Sequence, residues 1–237
     1  MPRLRSLALR LAMAALVGAA GTATAQVAPS VSLAEQMRTM LGKPAAGGAA
    51  APAFSPAPAV TSASALAALN SPLVVNGPVQ VRQSATELAQ RFPAAHRGAM
   101  TKAYEESFVF WQKLETQLGL TPNDVAAGVA AFIAGNYAAF MQQHVADEDF
   151  KSLVLQMQGT LAQNPAFAQS SAAAKRAMFE QLAMVGTFMV VYREHLNRQP
   201  NPNEEVNFRN AAKANLEAAL GLGVERIQIG RQGLVVR

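Results

Sequence analysis

The chain has 237 residues and no cysteine, and its 20 lysines and arginines outnumber 15 acidic residues for a formal charge of +5. Without cysteine there can be no disulfide, no thiolate nucleophile or metal ligand and no lipid-modified cysteine, so stability must come from packing. Three of the arginines fall in the first ten residues, and the remainder carries no basic run of the kind that tracks phosphates, which argues against nucleic acid as a partner.

Residues 1–25 have the layout of a cleaved export signal. Arg3, Arg5 and Arg10 precede an apolar run from Leu11 to Ala20, and Ala23-Thr24-Ala25 supplies the small-x-small cleavage pattern. Cleavage after Ala25 makes Gln26 the mature N-terminus and leaves 17 basic against 15 acidic residues. The expected destination is periplasmic or secreted. An apolar run of about ten residues is too short to span a bilayer, so no integral membrane span is expected after cleavage.

Residues 26–43 contain one short amphipathic helix. Ser32-Leu33-Ala34-Glu35 has capping-box spacing, and Leu33, Met37, Met40 and Leu41 follow on one face up to Gly42. So short a helix is marginal alone in water. It is either a frayed tail or a tethered docking motif carried by Leu33, Met37 and Leu41. Residues 44–83 read as a flexible linker: no charge occurs between Pro44 and Val81, and Ala, Pro, Ser and Gly dominate up to Leu69. At its end, Leu73 to Val81 combines β-branched residues with Asn76-Gly77 and predicts one or two short strands, which Pro78 disfavours as a regular hairpin.

The folded domain is expected over residues 84–237. Met100, Tyr104, Phe108, Trp111, Leu114 and Leu118 make an apolar stripe closed by Gly119. Thr121-Pro122 opens the next helix, which runs to about Gln143 and has no charge from Val125 to Met141. Its Ala127, Gly128, Ala131, Ala134, Gly135 and Ala138 form a flat small-residue face, as expected of the central helix of a bundle. A helix from Asp147 presents Phe150, Leu153, Val154, Met157 and Leu161 and stops at Asn164-Pro165. Between about Ser171 and Gln199 two apolar stripes predict an interior helix. Asn201-Pro202-Asn203-Glu204 opens a last helix ending near Gly221, after which Ile227, Ile229 and Leu234-Val235-Val236 predict a β-hairpin turning at residues 230–233. The fold class is therefore mainly α: about five helices in a bundle with a small C-terminal hairpin, open to being joined by the strand near Leu73.

Three polar residues interrupt the apolar faces: Glu115 between Trp111 and Leu118, Asn136 beside Phe132 and Phe140, and His195 at the end of the Met184-Phe188-Val191 row. Buried polar groups need partners. Either each is satisfied separately, or they share a polar pocket in which Glu115 and His195 serve as acid and base. No G-x-S-x-G elbow, phosphate-binding loop, H-E-x-x-H pair or EF-hand loop occurs, and His96, His144 and His195 have no metal-ligand spacing. Neither catalytic residues nor a cofactor or metal is therefore assigned. The methionines fall on core stripes and read as adaptable filler.

Thr121-Pro122-Asn123-Asp124-Val125, followed by Ala131-Phe132-Ile133-Ala134-Gly135-Asn136-Tyr137, resembles the core segment of a family of secreted bacterial helical proteins known only as a domain of unknown function. The resemblance spans roughly residues 84–237. It implies a helix-rich envelope or secreted domain and carries over no functional residue. The expected function is an exported, non-catalytic interaction or scaffold protein with a protein partner or a second copy. The runner-up is a carrier of a small apolar ligand within the bundle. An enzyme using Glu115 and His195 comes third.

Overall fold

The computed structural model describes residues 31–41 and 73–237; the expected export signal and most of the predicted linker lie outside the described residues. Among the described residues, eight α-helices precede one hairpin: α1 (Val31–Leu41), α2 (Val81–Ala89), α3 (Ala94–Leu118), α4 (Val125–Met141), α5 (Asp147–Ala162), α6 (Pro165–Gln169), α7 (Ala172–Arg198) and α8 (Pro202–Leu220), then β1 (Ile227–Gly230) and β2 (Gly233–Val236).

The charge-free helix α4 is the centre, with every residue from Val125 to Ala139 buried. Its small face takes α7 at very short range. A Cβ on Gly135 would lie 2.1 Å from the Gly186 carbonyl oxygen, and one on Gly186 would lie 2.2 Å from that of Ala131. Only paired glycines allow two helix backbones to approach so closely. Around this crossing, α3 lies against α2 and α7, while α5 and α8 lie against α4. Both predicted stripes of α7 are accordingly interior: Met178, Leu182 and Met189 are buried, as are Met184 and Phe188.

Local chemistry sets the ends. Asp124 caps α4 by accepting from the Ala126 amide, and Ser171 and Asn201 cap α7 and α8 in the same way. Gly119 and Gly221 end α3 and α8 in the left-handed conformation, at φ 66° and 67°. Asn164-Pro165, read from sequence only as a stop, also starts α6: the Asn164 side chain accepts from the Ala166 amide at 2.8 Å. Acidic Asp147, Glu148 and Asp149 occupy the first turn of α5, where they complement the helix dipole.

The hairpin pairs Ile227 with Val236 and Ile229 with Leu234, and packs on α5. The strand expected near Leu73 does not join it. That segment instead makes a single antiparallel bridge between Val74 and Asp124, with the Val75 amide donating to Asn123 O and the Val125 amide to Leu73 O. Asn76-Gly77 forms no hairpin, because the carbonyls of Val75 and Gly77 are both taken by the Arg176 guanidinium. Leu73 and Val75 are buried in the core although composition places them in the linker.

Candidate functional site

Glu115 and Asp124 bring two carboxyl groups to the connection between α3 and α4, 5% and 2% exposed. Glu115 sits in the last turn of α3 and accepts from the Asn123 amide at 3.2 Å. Asn123 itself is left-handed, at φ 60°. Its side-chain oxygen accepts from Arg176 Nη1 at 2.8 Å, while Arg176 Nη2 donates to Val75 O at 2.6 Å and Gly77 O at 2.9 Å. Arg176 thereby ties two chain segments, that of Val75 and Gly77 and that of Asn123, to the N-terminal part of α7, at 3% exposure. One turn further, fully buried Glu180 accepts from the Gln80 amide and the Ser84 hydroxyl.

Burial raises the Glu115 carboxyl to about 7, against the Asn123 amide and the Trp111 indole, which favour its charge; the Asp124 carboxylate raises it further and Arg176 lowers it. The Trp111 indole nitrogen stops short of hydrogen-bond geometry and is buried without a partner. Asp124 is also raised by burial, opposed by bonds from the Gln158 side chain and the amides of Ala126 and Ala127. A carboxyl poised near neutrality is what general acid–base chemistry uses. Here it is enclosed, with its partners drawn from the backbone and from Asn123.

Asn136 is fully buried on α4, and its amide nitrogen donates to Phe132 O at 2.8 Å. Its oxygen accepts from Asn215 on α8, also at 2.8 Å. One hydrogen bond thus links two helices inside the core. His195 is half-buried near the end of α7, its ring 5.8 Å from that of Tyr192. Tyr192 in turn stacks on Phe188 and donates its hydroxyl to Glu204.

The three polar residues singled out in the sequence therefore do not share a pocket. Glu115 and Arg176 meet on the same residue, Asn123, the one through its amide and the other through its side-chain oxygen, and His195 lies 19 residues beyond Arg176 on the same helix, about 28 Å away at the rise of an α-helix. Acid–base cooperation between Glu115 and His195 has no geometric basis. Sequence reasoning missed Arg176, which shares Asn123 with Glu115, and Asn215, which donates to Asn136, along with Gln156. The buried Gln156 amide both donates to Leu234 O at 2.9 Å and accepts from Leu234 N at 2.7 Å, standing in for a third strand beside β2. Among the described residues, no group of three or more His, Asp or Glu side chains is arranged to hold a metal ion.

The stripe of α1 is covered within the chain. Leu33, Ala34 and Met37 are buried, Met40 and Leu41 pack at the edge of the core, and the helix rests chiefly on α8, touching α5, α6 and α7. Arg38 places its guanidinium against Gly221, where a Cβ would lie 3.0 Å from its central carbon. That is the C-terminal end of α8, which favours a cation. Arg91 donates to the Ser32 hydroxyl at 2.9 Å.

These features define a mainly α bundle stitched by buried polar contacts and closed by a small hairpin, with no described helix long and apolar enough to cross a membrane. The chain belongs to the DUF6683 family, a family of unknown function whose model matches residues 49–237. No curated protein and no solved structure matches it.

Proposed function

We propose that the protein is an exported, non-catalytic interaction or scaffold module in which α1 is a tethered helix that docks through its apolar stripe. The observation that carries this reading is the use of the buried polar side chains. Arg176, Glu180, Asn136 and Gln156 all bond to backbone groups, and the first three also to the side chains of Asn123, Ser84 and Asn215, in arrangements that fix segments of the fold. The Leu33–Leu41 stripe adds a helix with only three deeply buried side chains, Leu33, Ala34 and Met37. It is joined to the bundle through 31 residues, from Gly42 to Pro72, a length that leaves it free to leave and re-enter its seat. The basic, apolar and small-x-small layout of residues 1–25 supports export. An apolar-ligand carrier would need room beside Phe188, where the rings of Tyr104 and Tyr192 already sit 5.3 and 5.5 Å away.

The test pairs localisation with docking. Intact mass of the protein recovered from the periplasm or medium is expected to begin at Gln26. Met37→Asp is expected to free α1, exposing Arg38 to trypsin, while the helical circular dichroism of the bundle persists. Photo-crosslinking in the native host from a residue of α1 is then expected to capture a discrete protein or a second copy of the chain. Retention of the first 25 residues, or a Met37→Asp protein with α1 as protected as before, would overturn this reading.

A further inference from the structure

Among the described residues, Arg176 is the one cation facing Glu115, and it is already committed elsewhere. Its two terminal nitrogens serve Asn123, Val75 and Gly77, while its Nε is buried without a partner. Glu115 stands at the C-terminal end of α3, where the last carbonyls of the helix oppose a negative charge. The charged groups around it are few: Asp124 from the α3–α4 connection and Arg176 from α7, with neutral Trp111 and Asn123 between them. Gln158 of α5 lies behind Asp124, on its second oxygen. An ionised Glu115 is a stronger acceptor for a guanidinium than a neutral carbonyl, because the bond is charge-assisted and can be bidentate.

We propose that this junction is a proton-operated latch on the segment that leads from the N-terminal arm into the bundle. With Glu115 protonated, Arg176 holds the carbonyls of Val75 and Gly77. With Glu115 ionised, the guanidinium turns to the carboxylate through its idle Nε edge and lets go of both carbonyls, so that the Val74–Asp124 bridge and the buried Leu73 and Val75 hold the segment without Arg176. The far end of the segment stays fixed, since Gln80 and Ser84 are held independently by Glu180. Asn76, Pro78 and Val79 already face solvent, whereas Leu73 and Val75 are buried, so the opening is a more frequent local fluctuation of the bridge and not the departure of the segment. The element that loosens is the point where the chain coming from α1 enters the domain.

Amide hydrogen exchange on the full chain, followed by NMR and corrected for intrinsic rates, tests the latch. Protection of the Val75 amide, bonded to Asn123 O at 3.1 Å, is expected to fall by about tenfold or more between pH 6 and pH 8.5, the scale set by more than one unit of titration. The Gln80 amide serves as the internal reference and is expected to hold. In Glu115→Gln the Val75 decline is expected to vanish. An equal decline in both proteins, or none in the parent, overturns the proposal. Should Glu115→Gln fail to fold, the carboxyl ¹³C titration of Glu115 in the parent decides: its midpoint must coincide with that of the Val75 amide shift. A Glu115 midpoint in the ordinary carboxyl range, or a Val75 shift that ignores it, overturns the latch as well.

Discussion

Gly135 on α4 and Gly186 on α7 touch backbone to backbone, with room for no side-chain atom between them: a Cβ on Gly135 would stand 2.1 Å from the Gly186 oxygen. Alanine at either position therefore forces apart the two most buried helices of the bundle. Overpacking of this kind costs about 1–3 kcal/mol or more, well above the fraction of a kcal/mol that alanine gains as a helix former. Gly98 and Gly159 are also helical but have no neighbour within 4 Å of a built Cβ. Denaturant unfolding is expected to show Gly135→Ala and Gly186→Ala destabilised, with Gly98→Ala and Gly159→Ala more stable by about 0.5–1 kcal/mol. If all four glycines respond alike, close approach is not what α4 and α7 require.

Asn215 on α8 donates to the Asn136 side-chain oxygen on α4, while the Asn136 amide nitrogen donates to Phe132 O. Asn215→Ala leaves the Asn136 oxygen buried with one partner lost, an effect of about 1–3 kcal/mol. Replacing both by leucine removes the polar requirement from each side, and is expected to recover part of the loss of the single leucine variants. A double-mutant cycle measures the coupling, expected at about 1 kcal/mol. Additive effects would mean that the two amides find other partners.

The legible part of the fold follows from periodicity. The wheel of α4, the two stripes of α7 and the Asn201-Pro202 cap make the principal helices legible, although Thr121-Pro122, expected to open α4, stands before it: the helix begins at Val125 behind the Asp124 cap. Glu115 and Asn136 stand out because each breaks an apolar face. The side chains gathered around them were not legible, because Arg176, which meets Glu115 through Asn123, and Asn215, which donates to Asn136, lie 61 and 79 residues further along. Gln156 is hidden in the same way: it flanks the Leu153-Met157 stripe, and only the distant β2 strand explains its burial. The helix α2 escaped notice because Ala85, Leu88 and Ala89 supply its whole buried apolar face. Similarly, Leu73 and Val75 carry no sign in composition of the arginine that fastens them.

The hairpin depends on Gln156 for closure of its inner edge. Gly233 answers it at φ 80°, where a Cβ would also meet the Gln156 side-chain oxygen at 2.6 Å. Gln156→Leu keeps the volume but strands the buried Leu234 amide and carbonyl, a loss of about 2–4 kcal/mol from two unsatisfied groups. Hydrogen exchange at Leu234 is expected to accelerate sharply, with the α4 and α7 amides much less affected. Gly233→Ala is expected to do the same through strain and contact together. A Gln156→Leu protein whose Leu234 amide exchanges as before would show that the glutamine is a passenger.

Stability should fall as pH rises through neutrality, the reverse of the usual behaviour of carboxylates. The Glu115 carboxyl, raised by burial from 4.5 to about 7, binds its proton more tightly in the folded protein than in the unfolded chain. Its favourable contribution is therefore complete below about pH 4.5, declines between there and 7, and is gone above. Asp124, raised by the same cause, acts in the same direction at lower pH. Between pH 5 and pH 8 the parent is expected to lose about 1–3 kcal/mol of unfolding free energy relative to Glu115→Gln, from the size of the shift. Comparing the two proteins cancels the remaining titrating groups, so a difference that stays constant across this range would place Glu115 in the ordinary carboxyl range after all.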